Sequence, residues 1–375
     1  MLFRTRALAA TVVASTLAMT LVACSSDAGE STVPTDTVID RFGEITGTVG
    51  PNGEQPTPSM EVTLTAAQEE QLHDGGYGAA ILWHELSAWT IAIQSGIEDQ
   101  LEELGITVVA TADAKFDPAT QANQIESALA LSPDVILGQA VDPSTGATAY
   151  QPAVDAGVKL IYADQAPDGF TYDDQYQAVL TDDLFQIGQR AARQLGESMD
   201  GEGTVAILYY DADFHVTNFR DASFLQTLAA EFPAIEVVAK KGFSDPNKAE
   251  EIANALLVKF PDLGAVYTSW AVPAQGVLAA LNAAGNTTTR IVTIDLDDTI
   301  AADLASPDGH TVGIVADKAY EYGRAMARAA GLAILGESGP EFGVTDSVTV
   351  TSDTLAEGYA AWNEEVPESV LAAGS

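Results

Sequence analysis

The chain has 375 residues, 47% of them hydrophobic, with 54 acidic against 16 basic side chains, 4 histidines and 1 cysteine. That length accommodates two domains of ordinary size, and the apolar fraction is too high for a disordered chain. A formal net charge of −38 repels phosphate backbones and argues against nucleic-acid binding, while one cysteine excludes a disulfide framework or a cysteine-based zinc cluster.

At the N-terminus Arg4 and Arg6 precede an apolar stretch, residues 7–22, which is short for a membrane-spanning helix. The stretch runs into Leu21-Val22-Ala23-Cys24, so the single cysteine falls at its end. This resembles the bacterial lipoprotein signal. The resemblance implies a signal peptide over 1–23, acylation of Cys24, and a lipid bilayer as partner through the acyl chains. Loss of Arg4 and Arg6 with the leader would bring the mature chain to a net charge of about −40. Residues 25–74 hold four prolines, ten acidic side chains and one basic one, Arg41, without sustained apolar periodicity. They read as a flexible acidic linker over 24–76, in which Ile39, Phe42, Ile45 and Val49 could still pack on the folded part.

From Gly78 onward short β-branched runs alternate with longer amphipathic ones. The pattern predicts strands at 79–83, 107–110, 134–138, 158–163 and 178–180. A second set follows at 204–209, 235–239, 265–267, 290–294 and 311–315. Helices are predicted between them, for example over 88–104, 119–130, 184–197, 218–232, 247–260 and 272–284. In the first of these, Ile93, Ile97, Leu101 and Leu104 make one apolar stripe. Alternation at this spacing means parallel sheets with helices on both faces, an α/β class. About ten strands suit two open sheets better than an eight-fold barrel. Thr181-Asp182-Asp183 reads as the seam, and a long helix over 317–336 returns to the first lobe.

Ligands of open parallel sheets lie beyond the carboxyl ends of the strands. Those ends carry Trp83-His84-Glu85, with Ser87 and Trp89 just after; Gly138-Gln139; Asp164-Gln165; and Thr181-Asp182-Asp183. In the second lobe they carry Tyr209-Tyr210-Asp211, Thr268-Ser269-Trp270 and Asp295-Leu296-Asp297. Carboxylates that accept from adjacent hydroxyls, an arginine fork and indole faces suit a neutral polyhydroxyl ligand. Arg220, at a helix start in a chain poor in basic residues, is the candidate fork; a surface ion pair is its alternative. Trp83 fits the core and the cleft equally well, whereas Trp89 fits the cleft and Trp270 fits either the cleft or the lobe interface. Asp164 and Asp295 stand at the same relative place in each lobe, which favours ligand contact over helix capping. His84 suits a hydrogen-bonding role, and His73, His215 and His310 show no metal-ligand spacing with it, so no metal is expected.

From Gly78 to Asp353 the order of these residues resembles the type I periplasmic sugar-binding proteins, the ribose- and galactose-receptor kind of ABC importer. In that resemblance Asp164 matches a sugar-hydroxyl aspartate, Arg220 the arginine of the second lobe's first long helix, Phe243 a cleft aromatic and Asp295 the second-lobe carboxylate. Trp83, His84, Ser87, Trp89, Thr90 and Gln139 complete the first-lobe set, and Trp270 stands where many ribose-type members place Asn. Gln165 replaces a frequent Arg, and near Ala316-Asp317 a frequent Gln is missing. The implied fold is two Rossmann-like lobes with parallel sheets joined by a three-strand hinge. The lobes would be 77–181 plus 317–350 and 182–316 plus 351–375, with crossovers near Thr181-Asp182, Ala316-Asp317 and Val350-Thr351.

The implied function is capture of a small sugar, polyol or amino sugar and its delivery to an ABC permease. The protein is then an extracytoplasmic, lipid-anchored monomer without cofactor or catalytic residues. A sensory receptor on the same fold is the alternative. A carbohydrate-acting enzyme using paired acids such as Asp295 and Asp297 is a weaker one, since acids at this spacing after a strand suit a ligand contact plus a cap.

Overall fold

The computed structural model describes residues 37–374. Arg4, Arg6 and Cys24, with the leader they belong to, lie outside the described residues. In chain order β1 (Thr57–Pro58) and α1 (Ala66–Gly75) come first. Then follow β2 (Gly78–Trp83), α2 (Ala88–Glu103), β3 (Thr107–Asp113), α3 (Pro118–Leu129), β4 (Val135–Gly138), α4 (Pro143–Asp155), β5 (Lys159–Ala163) and β6 (Ala178–Asp182). The second series is α5 (Leu184–Ser198), β7 (Glu202–Tyr210), α6 (His215–Glu231), β8 (Ala234–Phe243), α7 (Ala249–Lys259), β9 (Ala265–Thr268), α8 (Ala271–Ala284), β10 (Arg290–Ile294), α9 (Asp298–Ala305) and β11 (Thr311–Asp317). The chain ends with α10 (Ala319–Ile334), β12 (Gly343–Thr345), β13 (Ser347–Val350), α11 (Leu355–Ala361) and α12 (Glu368–Ala373).

The strands make two sheets, β1-β12-β6-β5-β4-β2-β3 and β13-β11-β10-β9-β7-β8. All pairings are parallel except β13 with β11. Strand interiors are nearly pure aliphatic because helices cover both faces: Ala80, Ile81, Leu137, Leu160, Ile207 and Val292 are fully buried. The stripe read on α2 is buried as expected, with Ile93, Ile97 and Leu101 inside. The α2 and α10 backbones touch, which only glycine allows. A Cβ on Gly96 would run into the Tyr320 carbonyl, and one on Gly323 into that of Ile93.

The chain passes from one sheet to the other between β6 and α5 and again between β11 and α10. The third passage differs from the expected one. It lies at Asp346 rather than near Val350-Thr351, because β12 pairs with β6 while β13 pairs with β11. Residues 347–350 therefore belong to the second sheet.

The segment expected to be a flexible linker is docked from Thr37 onward. Ile39 is buried in the second lobe, and Phe42, Ile45 and Val49 pack around Leu184, Val216 and Phe219. Lys240 pairs with Asp40, the Ile45 amide donates to Gln226 (2.9 Å), and Thr48 Oγ1 donates to Asp183 at the first crossover (2.5 Å). β1 then joins the first sheet beside β12. The segment thus crosses from one lobe to the other; Phe42, Ile45 and Val49 share one apolar cluster, and Ile39 is buried in another.

Candidate functional site

Both sheets turn their strand carboxyl ends toward one cleft, of volume ≈ 860 Å³ including the part open to solvent. In the first lobe, β2 ends in the buried Trp83, and the following loop brings His84 and Glu85 to the cleft wall. Ser87 caps α2 through a reciprocal capping box with Thr90, whose Oγ1 accepts from the Ser87 amide at 2.7 Å. That cap sets the start of α2 and so places Trp89 over the cleft, its indole Nε1 donating to Asp317.

Asp164 follows β5 and Asp295 follows β10, and the two are geometrically equivalent. Both have left-handed backbone, φ 63° and 68°, a conformation that Asp tolerates better than most residues. Each donates its amide to the neighbouring strand, Asp164 to Leu180 (2.7 Å) and Asp295 to Val315 (3.0 Å). Neither caps a helix; Asp297 caps α9 by accepting from the Thr299 and Ile300 amides. Gln139 Nε2 donates to Asp164 Oδ2 (2.9 Å) and Thr181 Oγ1 to Oδ1 (3.1 Å). Among the described residues no side chain hydrogen-bonds to the Asp295 carboxyl, and its charge neighbour is Arg220.

The second-lobe wall is aromatic. Tyr210 and Trp270 meet edge to face at 5.5 Å, and Phe243 buttresses both from behind. Arg220 projects from α6 with Nη2 donating to the Ser269 carbonyl (2.6 Å), and its Nε has no partner. Asp221 beside it is held by Tyr267 and Ser269. The lobes touch across the cleft where the His215 amide donates to Gln165 Oε1 (3.2 Å).

Burial dominates the electrostatics. It pushes Asp164 up to about 6, with Arg220, Thr181 and Gln139 opposing and Asp317 reinforcing. Asp295 is pushed up to about 8 by burial and by Asp317 and Asp164, despite Arg220. Glu85 rises to about 7 through burial and the charge of Asp113. Asp182, at the end of β6, is raised strongly by burial and by Asp317, which ends β11. Burial holds His84 down at about 3, so this ring is neutral at ordinary pH.

Of the residues singled out in the sequence, His84, Ser87, Trp89, Gln139, Asp164, Arg220, Trp270 and Asp295 line the cleft. Trp83, Thr90 and Phe243 do not line it. Trp83 is packed in the first-lobe core with its Nε1 on Gln94, Thr90 is a buried capping residue, and Phe243 lies behind Tyr210 and Trp270. Glu85, Asp182, Tyr210 and Asp297, noted in the sequence at strand ends but not taken as candidate ligand contacts, also line the cleft, as do Phe116, Phe214 and Thr217, which the sequence did not single out. Phe116 sits in the β3–α3 loop at φ 58°, and no local signal marks it.

A family model described as a periplasmic binding protein domain matches residues 79–338. A protein of Rhizobium meliloti named as rhizopine-binding is 25% identical over 219 residues, which is 57% of this chain and 71% of that protein. The ribose import binding protein of Bacillus subtilis is 24% identical over 196 residues, 52% of this chain and 62% of its own length. An ABC transporter solute-binding protein of Agrobacterium vitis, solved with α-D-tagatopyranose, superimposes with a TM-score of 0.69 at 22% identity, covering 78% of this chain and 100% of that one.

Proposed function

The chain belongs to the periplasmic binding protein domain family, and from that premise we propose that it captures a small sugar, polyol or amino sugar between its lobes and presents it to an ABC permease. The observation that carries this reading is the pairing of Asp164 with Asp295. Two carboxyls with the same backbone geometry face one cleft from opposite lobes, flanked by Trp89 and Trp270 and by the Arg220 guanidinium. Carboxylates accept from vicinal hydroxyls, the guanidinium donates, and indoles cover the C–H face of a ring. The relatives' names point the same way, toward rhizopine, ribose and tagatose.

Only the closed arrangement offers both sets of groups to one ligand, so a bound ligand shifts the population toward closure. Three thin crossovers, after β6, after β11 and at Asp346, form the hinge. The protein works outside the cytoplasmic membrane, held there by acyl chains on Cys24 after removal of the leader, and performs no chemistry on its ligand.

Titration calorimetry with a panel of pentoses, hexoses and cyclitols tests the reading. Saturable 1:1 binding of at least one, with a raised Tm, is expected. A flat response across the panel refutes it. Recovery of the bound compound unchanged separates capture from catalysis.

A further inference from the structure

The ionisable groups of the cleft do not balance. Asp164, Asp182, Asp295 and Glu85 line it, and Arg220 is the only lysine or arginine among its lining residues. His84 is buried and adds no charge at neutral pH. Behind Trp89, Asp317 adds another carboxyl that faces Asp182 from the second hinge strand.

The hydrogen-bonding capacity left over is biased the same way. Asp182 is 2% exposed and Gln139 3% exposed, both line the cleft, and Asp182 Oδ1 and Gln139 Oε1 have no partner. The Asp295 carboxyl receives no side-chain hydrogen bond among the described residues. On the donor side, Arg220 Nε is buried without a partner, and the indole N–H of Trp270 belongs to the same lining. A ligand that supplies donors to Asp182 Oδ1 and Gln139 Oε1 satisfies these acceptors, and one that also carries positive charge lets the acid wall ionise at lower cost. A hydroxyl donates one proton and carries no charge, whereas an ammonium donates three and carries one. The indole faces of Trp89 and Trp270 and the phenol of Tyr210 also attract a cation.

We infer that the ligand of this cleft is an amino sugar or aminocyclitol, whose protonated amine faces the acid wall of Asp164, Asp182 and Asp295 while its hydroxyls meet Arg220 and Gln139. This rests on the capture of a polyhydroxyl ligand proposed above and narrows its class from the neutral ligand that residue types alone suggest.

Near-isosteric pairs isolate the charge. D-Glucosamine is titrated against D-glucose, D-galactosamine against D-galactose, and amino-deoxy-scyllo-inositol against scyllo-inositol, all at pH 7 in low salt. At least one amine is expected to bind about ten-fold or more tightly than its hydroxyl twin. In Asp182→Asn, and separately in Asp295→Asn, that ratio is expected to shrink toward one, with a thermal melt confirming that each variant is folded. If neutral members of the pairs or of the wider panel bind and no amine exceeds its twin, the inference falls and the capture reading stands. If nothing in either series binds, both fall. An amine preference undiminished in both variants also overturns the assignment to the acid wall.

Discussion

Asp164 is buried in the cleft wall at the expense of the folded state, and its replacement by Asn makes that cost measurable. The side chain is 4% exposed, and its carboxyl sits at about 6 against an ordinary 3.8. At about 1.4 kcal/mol per pKa unit, ionising it in the folded protein costs about 3 kcal/mol relative to the unfolded chain. The folded-state value is the raised one, so the folded state holds the proton that the unfolded state has lost. Stability therefore falls as pH rises from about 4 to about 6 and stays lowered above that. Asparagine removes the charge, tolerates φ 63° and keeps an oxygen for Thr181 Oγ1. Its amide nitrogen meets Gln139, whose unpartnered Oε1 accepts from it once the Gln139 amide turns over. Allowing for imperfect geometry, Asp164→Asn should stabilise the ligand-free protein by about 2 kcal/mol at pH 7.5, a rise in Tm of about 3 °C. At pH 4 the gain should almost vanish. Differential scanning calorimetry of both proteins at the two pH values reads this directly, and titration with the ligand should show weakened binding in the more stable variant. A lower Tm at pH 7.5, or the same gain at both pH values, would refute the electrostatic argument.

Two further substitutions probe the frame around the cleft. Thr48→Val removes the bond to Asp183 and the one that Thr48 Oγ1 accepts from the Phe185 amide (2.9 Å). It should cost about 1–2 kcal/mol in urea unfolding, and an unchanged midpoint would mean that the 37–58 segment is not fastened at the hinge. Gly323→Ala drives a methyl group into the Ile93 carbonyl where α2 and α10 touch. A loss of about 1–3 kcal/mol is expected by the same assay, and full retention of stability would show that the helices slide apart freely.

Much of the site was legible because a buried parallel strand announces its own end. An aliphatic run breaks at the first polar residue, so Asp164, Asp295, Gln139 and Trp270 could be located by position alone, and Arg220 by its rarity. Errors came where burial on both sides erases the difference between faces. Trp83 is the last residue of β2 and Trp89 lies six residues on, yet only Trp89 reaches the cleft. A crossover was expected near Val350-Thr351, but residues 343–350 split at Asp346 into strands of different sheets.

The sequence by itself determined the α/β alternation, the two strand sets and the positions at their ends, because side-chain period and turn chemistry are local properties of a chain. Tertiary structure alone decided the third crossover, the docking of residues 37–58 and the meeting of Asp182 with Asp317 under Trp89. Each of these depends on which distant strand or lobe a segment packs against, and for the buried acids on how completely water is excluded; neither quantity is written in the spacing of neighbouring residues.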